Sequence, residues 1–501
     1  MNGPLRRAGV VVLVLFALLF ANLNYVQAYK ADDYRTDDHN GRVQTSEYER
    51  QRGSIEIGRG VVLAQSFSTP DDQLKYQRKY PKGPEYAGVV GYKPVNLGAT
   101  GVEKMEDLWL SGDADAQFAD RFLSQLTGNR TGGGNVLLTL SPAAQDAAYG
   151  QLVNNRIGAP AGAAVALDPK TGALLAAVSF PGYDPNPLSS HDTGAAANTY
   201  NQLNGQAGNP LLNHAFSDRY PPGSTFKVID SATALTNGFQ PESDLVGGPD
   251  YNPPDTTQVI HNSPGVVCDQ HITLKQALTV SCNTAFSRLC VEHLNVDQIK
   301  SMSQAFGFEE APTFDHDPKN YMNVVPSRTG PITDSAGNPD RPGLAQSCIG
   351  QSNVAMTPLQ GALIAATVAN GGTQMRPYLI DRELAADRTT VNYTAAPHQL
   401  RQPISGQVAG QLQDMMQSVV QNGTGTKAQI PGFQVGGKTG TAQHGDGTKD
   451  HGWFIGFAMK NGEPVVAVAV FLQDAGSGGS SESTRIGGEI MKAVITERGL
   501  K

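Results

Sequence analysis

Between Ala8 and Tyr29 the chain carries no charged side chain, and the first fourteen residues of that stretch, AGVVVLVLFALLFA, carry no polar one. Roughly 20 such residues cross a bilayer, and a lone segment in lipid can satisfy its own backbone only as a helix. Arg6 and Arg7 precede the stretch, and Asp32 and Asp33 follow it. That distribution is expected of a cytoplasmic N-terminus. Residues 1–7 then read as a cytoplasmic tail, 8–29 as a transmembrane anchor, and everything beyond as extracytoplasmic. A second reading stays open. The apolar core also has the length of a signal-peptide h-region, and Val26-Gln27-Ala28 offers small residues for cleavage. Both readings export the bulk of the chain. No second stretch is as uniformly apolar, which argues against a channel or transporter.

Export frames the four cysteines, Cys268, Cys282, Cys290 and Cys348. An even count outside the cytoplasm favours disulfides. Four cysteines allow three connectivities; Cys268 with Cys282 is the nearest pair not on one helix, and buried free thiols remain the alternative. Cys282 and Cys290 read as two turns apart on a helix, too far to bond. Metal binding is not expected, since there is no C-x-x-C or H-E-x-x-H and the ten histidines are scattered. A net charge of −8 disfavours nucleic acid.

The chain is loop-rich, with 56 Gly and 31 Pro among its 501 residues. Residues 30–140 read as a small, irregular, strand-rich pedestal, including Gly88-Val89-Val90-Gly91-Tyr92. A glycine-rich joint, Thr131-Gly132-Gly133-Gly134, leads to a strand at 135–140 and a helix opened by Ser141-Pro142. The runs 162–167 and 173–179 form a hairpin around the turn Asp168-Pro169-Lys170-Thr171-Gly172. Helices are expected at about 222–236, 273–294, 356–370 and 484–498, and strands at 433–442, 451–458 and 465–472. Long Pro- and Gly-rich loops occupy 237–265 and 306–345. Strands at both ends with helices between imply an α/β (α+β) domain over 141–501, one antiparallel sheet flanked by helices.

Three short strings carry chemistry. Ser224 and Lys227, in Pro221-Pro222-Gly223-Ser224-Thr225-Phe226-Lys227, lie one helical turn apart on one face. A serine needs a base to become a nucleophile, and a lysine serves once desolvation or nearby positive charge lowers its pKa. Ser281 and Asn283, in Ser281-Cys282-Asn283, can project a hydroxyl for proton relay and an amide for a peptide substrate into one cleft. Lys438-Thr439-Gly440-Thr441-Ala442 reads as a strand with Lys438 and Gly440 on one face and Thr439 and Thr441 on the other. Its glycine lets a substrate backbone approach. Each string alone also has a bland reading, a helix start, an N-cap or a turn. The second Lys-Thr-Gly, at Lys170, is such a turn. What counts is the order: Ser-x-x-Lys, Ser-x-Asn 57 residues on, Lys-Thr-Gly 157 residues after that. This is the set of penicillin-binding proteins and class A β-lactamases.

With these strings the sequence resembles the class B penicillin-binding proteins, in the compact form of the actinobacterial penicillin-binding protein A type. Arg52-Gly53-Ser54-Ile55 is similar to that family's R-G-x-I segment. Thr100-Gly101-Val102-Glu103 is similar to a second pedestal segment. Gly350-Gln351 with Thr357-Pro358-Leu359-Gln360 resembles I-G-Q-G…T-P-L-Q, with Ser352 replacing the second glycine. Gly423-Thr424 ahead of Gly437-Lys438-Thr439-Gly440-Thr441-Ala442 resembles G-T…G-K-T-G-T-A. The resemblance implies a serine acyltransferase of β-lactamase-like fold that cross-links peptidoglycan stem peptides. Ser224 is the nucleophile, Lys227 its base, Ser281, in contact with Lys227 and Lys438, the proton relay, and the backbone N–H groups of Ser224 and Thr441 the oxyanion hole, while Asn283, Lys438, Thr439, Gly440 and Thr441 bind the D-Ala-D-Ala donor. It further implies β-lactams as inhibitors, no metal or organic cofactor, and a polytopic membrane glycosyltransferase of the elongation or division machinery as partner.

Other readings share part of the pattern. About 110 residues between anchor and residue 140 are too few for a glycosyltransferase domain. A class A β-lactamase needs a deacylating glutamate, and Glu292-His293-Leu294-Asn295 comes too early for it. A D,D-carboxypeptidase shares all three strings and is disfavoured only by the pedestal. A silent scaffold of the wall-synthesis complex would not need the strings intact.

Overall fold

The computed structural model describes residues 2–30, 34, 48–71, 74–96, 98–117, 132–333, 336–443, 445 and 447–500. Asp32, Asp33 and Thr131, used above, lie outside the described residues. The N-terminal stretch is helical, α1 (Asn2–Asn24) followed by a π-helical turn, Tyr25–Tyr29. Its Arg6–Tyr29 span is long and apolar enough to cross a membrane and packs against no other part of the described chain.

The catalytic half is organised by a five-stranded antiparallel sheet. Its strands are β5 (Ala161–Leu167), β6 (Leu174–Phe180), β9 (Gln434–Ala442), β10 (His451–Lys460) and β11 (Glu463–Gln473), in the order β9-β10-β11-β5-β6. Sheets covered on both faces read as nearly continuous apolar runs, as in Val465-Val466-Ala467-Val468-Ala469-Val470-Phe471-Leu472. The period of two still sorts them. Val466, Val468, Val470 and Leu472 enter one core, while Ala467, Ala469 and Phe471 enter the other. Helices α2 (Pro142–Val153) and α8 (Gly479–Glu497) cover the first face, and α6 (Pro358–Ala369) packs on the second. The β5–β6 turn is closed by Asp168 Oδ1, which accepts from the backbone N–H groups of Lys170 (2.9 Å) and Thr171 (3.2 Å), so the second Lys-Thr-Gly is indeed turn chemistry.

Beside the second face lie α3 (Lys227–Thr236), α4 (Leu274–Val280), α5 (Asn283–Glu292) and α7 (Gly406–Asn422). The single helix expected over 273–294 is two. Thr273 caps the first with Gln276 in a capping box, and Ser281 then takes a left-handed conformation, φ 66°, that stops it. Cys282 is the N-cap of the second. Two disulfides form, Cys268–Cys282 as expected and Cys290–Cys348, 58 residues apart.

The pedestal is built on a second sheet. Strands β1 (Ile55–Ile57), β2 (Val61–Ser68), β3 (Tyr76–Lys79) and β4 (Asn135–Leu138) are joined by β7 (Ile380–Leu384) and β8 (Val391–Thr394), in the order β8-β7-β4-β1-β2-β3. The sheet thus runs across the expected division at residue 140. The Val89-Val90 and Val102-Glu103 segments are helical rather than extended, in Gly83–Val90 and Gly101–Met105. Pro84 starts the first of these and Gly91, φ 73°, stops it. Two of the resemblance-bearing motifs meet here. Glu103, fully buried, receives Arg52 Nε at 2.7 Å and Arg78 Nε at 2.6 Å. Burial alone would raise its pKa; the two guanidiniums outweigh that and hold it below the usual glutamate value.

Candidate active site

The Pro-Pro-Gly lead opens into a 3-10 turn, Gly223–Phe226, continuous with α3. Ser224 therefore sits one tight turn before the α-helix, nearly buried. The turn is gripped from three sides. Gly223 N–H donates to Gly350 O at 3.0 Å, and Trp453 Nε1 donates to Pro221 O at 2.9 Å. A Cβ on Gly440 would lie 2.6 Å from Pro222 O, and one on Gly223 would lie 2.4 Å from Thr441 O. The glycines of three separate motifs are thus contact points between the Ser224 turn, the edge strand β9 and the Gly350 loop.

Lys227 and Lys438 are both fully buried and converge on Ser281. Lys438 Nζ donates to Ser281 Oγ at 2.9 Å and to Thr439 O at 3.0 Å. Lys227 Nζ donates to Asn283 Oδ1 at 2.7 Å and Ser281 O at 2.9 Å, with Ser281 Oγ at 3.4 Å. Burial, then the neighbouring Lys438 charge, hold Lys227 well below the usual lysine pKa; burial pushes Lys438 down to about 7. A neutral amine next to a serine turn can accept a proton. Ser224 Oγ makes no hydrogen bond among the described residues, which is common for catalytic groups before substrate arrives.

The strings thus come together: Lys227, Ser281, Asn283 and Lys438 form one hydrogen-bonded cluster, and the Ser224 turn packs against β9, which carries Thr439, Gly440 and Thr441. The Thr439 hydroxyl is fixed by Thr424 Oγ1 at 2.6 Å, which gives the Gly423-Thr424 motif its place. Asn283 has both polar atoms engaged, Oδ1 by Lys227 and Nδ2 by His261 O at 3.0 Å. One amide hydrogen and one lone pair remain for a substrate.

Sequence reasoning missed the supports. Asn262, in the long loop after α3, accepts on Oδ1 from the N–H of Asn283 (2.8 Å) and of Thr284 (3.2 Å). The Cys268–Cys282 bridge is anchored between Ser281 and Asn283, so it and Asn262 hold the Ser281-Cys282-Asn283 segment together. Asp230, one turn beyond Lys227, is buried with neither oxygen hydrogen-bonded among the described residues, and burial pushes its pKa well above the usual aspartate value against the opposing Lys227 charge. Trp453 could have been suspected as one of only two tryptophans; Asn262 has no signal in its own stretch.

This constellation, two buried lysines on Ser281 beside the Ser224 turn, is the one expected of an acyl-serine enzyme of the penicillin-binding class. Residues 162–492 match the penicillin binding protein transpeptidase domain, and residues 52–136 match the penicillin binding protein A dimerisation domain. The chain belongs to the penicillin-binding protein transpeptidase family. It is 42% identical over 500 residues to peptidoglycan D,D-transpeptidase PbpA of Mycolicibacterium smegmatis, covering 99% of this chain and 98% of that protein. It is 39% identical over 503 residues to the PbpA of Mycobacterium tuberculosis, covering 99% and 98%. The fold is similar to the crystal structure of PBPA from Mycobacterium tuberculosis, with TM-score 0.82 and 37% identity over 89% of this chain and 100% of that one. It matches that protein's imipenem acyl-enzyme complex with the same score and identity, over 90% and 100%.

Proposed function

We propose that this chain is a serine-type peptidoglycan D,D-transpeptidase, inhibited by β-lactams, in which Ser224 carries the acyl group. The observation that supports the residue roles best is the convergence of two buried lysines on Ser281 Oγ. Lys227, its pKa lowered by burial and by the neighbouring Lys438, takes the Ser224 proton as Oγ attacks the carbonyl of the penultimate D-Ala. The bond to the terminal D-Ala breaks, and Ser281, hydrogen-bonded to Lys438 and within reach of Lys227, relays the proton to the departing amine. Backbone N–H groups of Ser224 and Thr441 stabilise the oxyanion. Lys438, Thr439 and Thr441 bind the terminal carboxylate, Gly440 lets the donor backbone approach, and Asn283 holds its amide. The amine of a second stem peptide then attacks the ester and releases Ser224. A β-lactam enters the same way, opening its ring onto Ser224.

The finer organisation is part of the same reading. Residues 8–29 anchor the chain, residues 1–7 face the cytoplasm, and the pedestal (30–140) and transpeptidase domain (141–501) lie outside the membrane. The pedestal is the surface for a polytopic membrane glycosyltransferase. The test of the reaction is product analysis with a pentapeptide donor and an acceptor amine. Cross-linked product in excess of free hydrolysed donor is expected; hydrolysed tetrapeptide alone would make the chain a D,D-carboxypeptidase, and no D-Ala release would leave the scaffold reading.

A further inference from the structure

Glu106, His316 and Glu383 are distant in sequence and belong to different parts of the fold. Glu106 lies at the junction of two short pedestal helices, Gly101–Met105 and Asp107–Ser111. His316 is in the long 306–345 loop of the transpeptidase half, and Glu383 is on β7. One donor atom from each lies within 4.8 Å of the other two. His316 Nε2 is 2.6 Å from Glu383 Oε1 and 3.6 Å from Glu106 Oε1.

The neighbours hold this cluster in place. The other Glu383 oxygen accepts from Asn392 Nδ2 at 2.5 Å. The His316 ring stacks on Tyr393, centroids 4.5 Å apart. Glu106 is only 3% exposed, yet its Oε1, facing the histidine, accepts no hydrogen bond among the described residues. A cavity of about 300 Å³, lined in part by Lys104, Lys319 and Asn392, opens onto all three side chains.

The imidazole pairs closely with Glu383 and only loosely, at 3.6 Å, with Glu106, whose buried oxygen is left without a well-formed hydrogen bond, which is costly. A cation at the centre satisfies all three donors. Two carboxylate oxygens and one imidazole nitrogen suit zinc, with bonds of about 2.0–2.2 Å and a fourth position open to water. Donors around such an ion stand roughly 3.3–3.5 Å apart by tetrahedral geometry. The Glu106 pair is near that spacing already, and the Glu383 pair needs to open by less than about 1 Å. Asn392 and Tyr393 act as the outer partners that orient ligands at metal sites.

We propose that Glu106, His316 and Glu383 form a divalent-cation site of the zinc type, which ties the pedestal to the transpeptidase half. Binding displaces the imidazole proton to solvent and involves no redox step. Lys104 and Lys319 on the cavity wall oppose the ion's charge, so the site binds less tightly than an all-acidic one. Its ligands come from three distant stretches, which is why no spacing motif announces it.

The test is a titration of the full chain in detergent micelles with Zn²⁺ against a chromophoric chelator, beside His316→Ala and Glu106→Gln. The expected result is one Zn²⁺ per chain, weakened about tenfold or more in both variants. Penicillin acylation within about twofold of wild type in all three proteins certifies the fold. Equal Zn²⁺ affinity in all three, or no Zn²⁺ bound by wild type, overturns the proposal and leaves an ion pair. Should a variant fail to acylate, Co²⁺ substitution into wild type decides. The visible absorption of a low-coordinate N/O site supports the proposal, and its absence overturns it.

Discussion

Replacing Gly350 by alanine tests how the nucleophile is held. At Gly350 φ is +70°, and a Cβ there would lie 2.0 Å from Gly223 O, 2.6 Å from Gly223 C and 2.7 Å from Gly223 N. All three are backbone atoms of the residue before Ser224, so no flexible side chain can yield. Holding an L-residue in the left-handed region costs about 1–2 kcal/mol. Overpacking against fixed neighbours costs about 1–3 kcal/mol more. The expected loss of stability is therefore roughly 2–5 kcal/mol, measured by denaturant unfolding. Relief of the clash moves the Ser224 turn by about 1 Å, and a displacement of that size can slow catalysis about 100-fold. The assay is the second-order rate constant for acylation by a fluorescent penicillin. Gly410→Ala is the control: it lies inside α7, and a Cβ there meets nothing within 4 Å. It should gain about 0.5–1 kcal/mol and acylate normally. A folded Gly350→Ala protein that acylates within about twofold of wild type refutes the claim that this contact positions Ser224.

Lys438 is held near pKa 7 in the fold, against 10.5 for a free lysine. Its folded pKa is depressed, so the destabilisation is complete below about pH 7 and fades as pH rises toward the unfolded value. At about 1.4 kcal/mol per unit the ceiling is roughly 5 kcal/mol. Lys438→Met should therefore be more stable than wild type in urea at about pH 7, by a margin that narrows toward about pH 10, with acylation lost; a constant margin contradicts the burial argument. Asn262→Ala removes the acceptor for two backbone N–H groups and should slow acylation about tenfold, roughly 1–3 kcal/mol per unsatisfied group, while the fold melts cooperatively; unchanged acylation would show that the loop holds itself. Removing the Cys268–Cys282 bridge, whose cysteines are 14 residues apart, should cost about 3 kcal/mol and slow acylation, read by the same two assays; a loss of stability with no change in rate would make the bridge purely structural.

The catalytic strings were readable because each is contiguous and their order is informative. The sheet strands were readable because burial on both faces writes itself as continuous Val, Ala and Leu. The break at Ser281 was not, since Thr279-Val280-Ser281-Cys282-Asn283 carries no Gly or Pro, and a left-handed serine is selected by the Lys227 and Lys438 contacts around it. Cys290–Cys348 was not readable either, because 58 residues of intervening chain decide which ends meet. The same holds for β7, which pairs with β4 from some 240 residues away and carries β8 on its other edge, and for Asn262. Such features depend on where tertiary contacts return the chain. The pedestal helices were misread because Val89-Val90 and Val102 are apolar in either state, and the deciding signals were the flanking Pro84 and Gly91.

The central claim is that Ser224 is the acylated residue. Its most direct test is intact-mass measurement of the protein after incubation with penicillin, with peptide mapping of the adduct, for wild type and Ser224→Ala. The account predicts a single penicilloyl adduct on the wild-type peptide containing Ser224 and none on the variant. An adduct on another residue, or equal labelling of the variant, would contradict it.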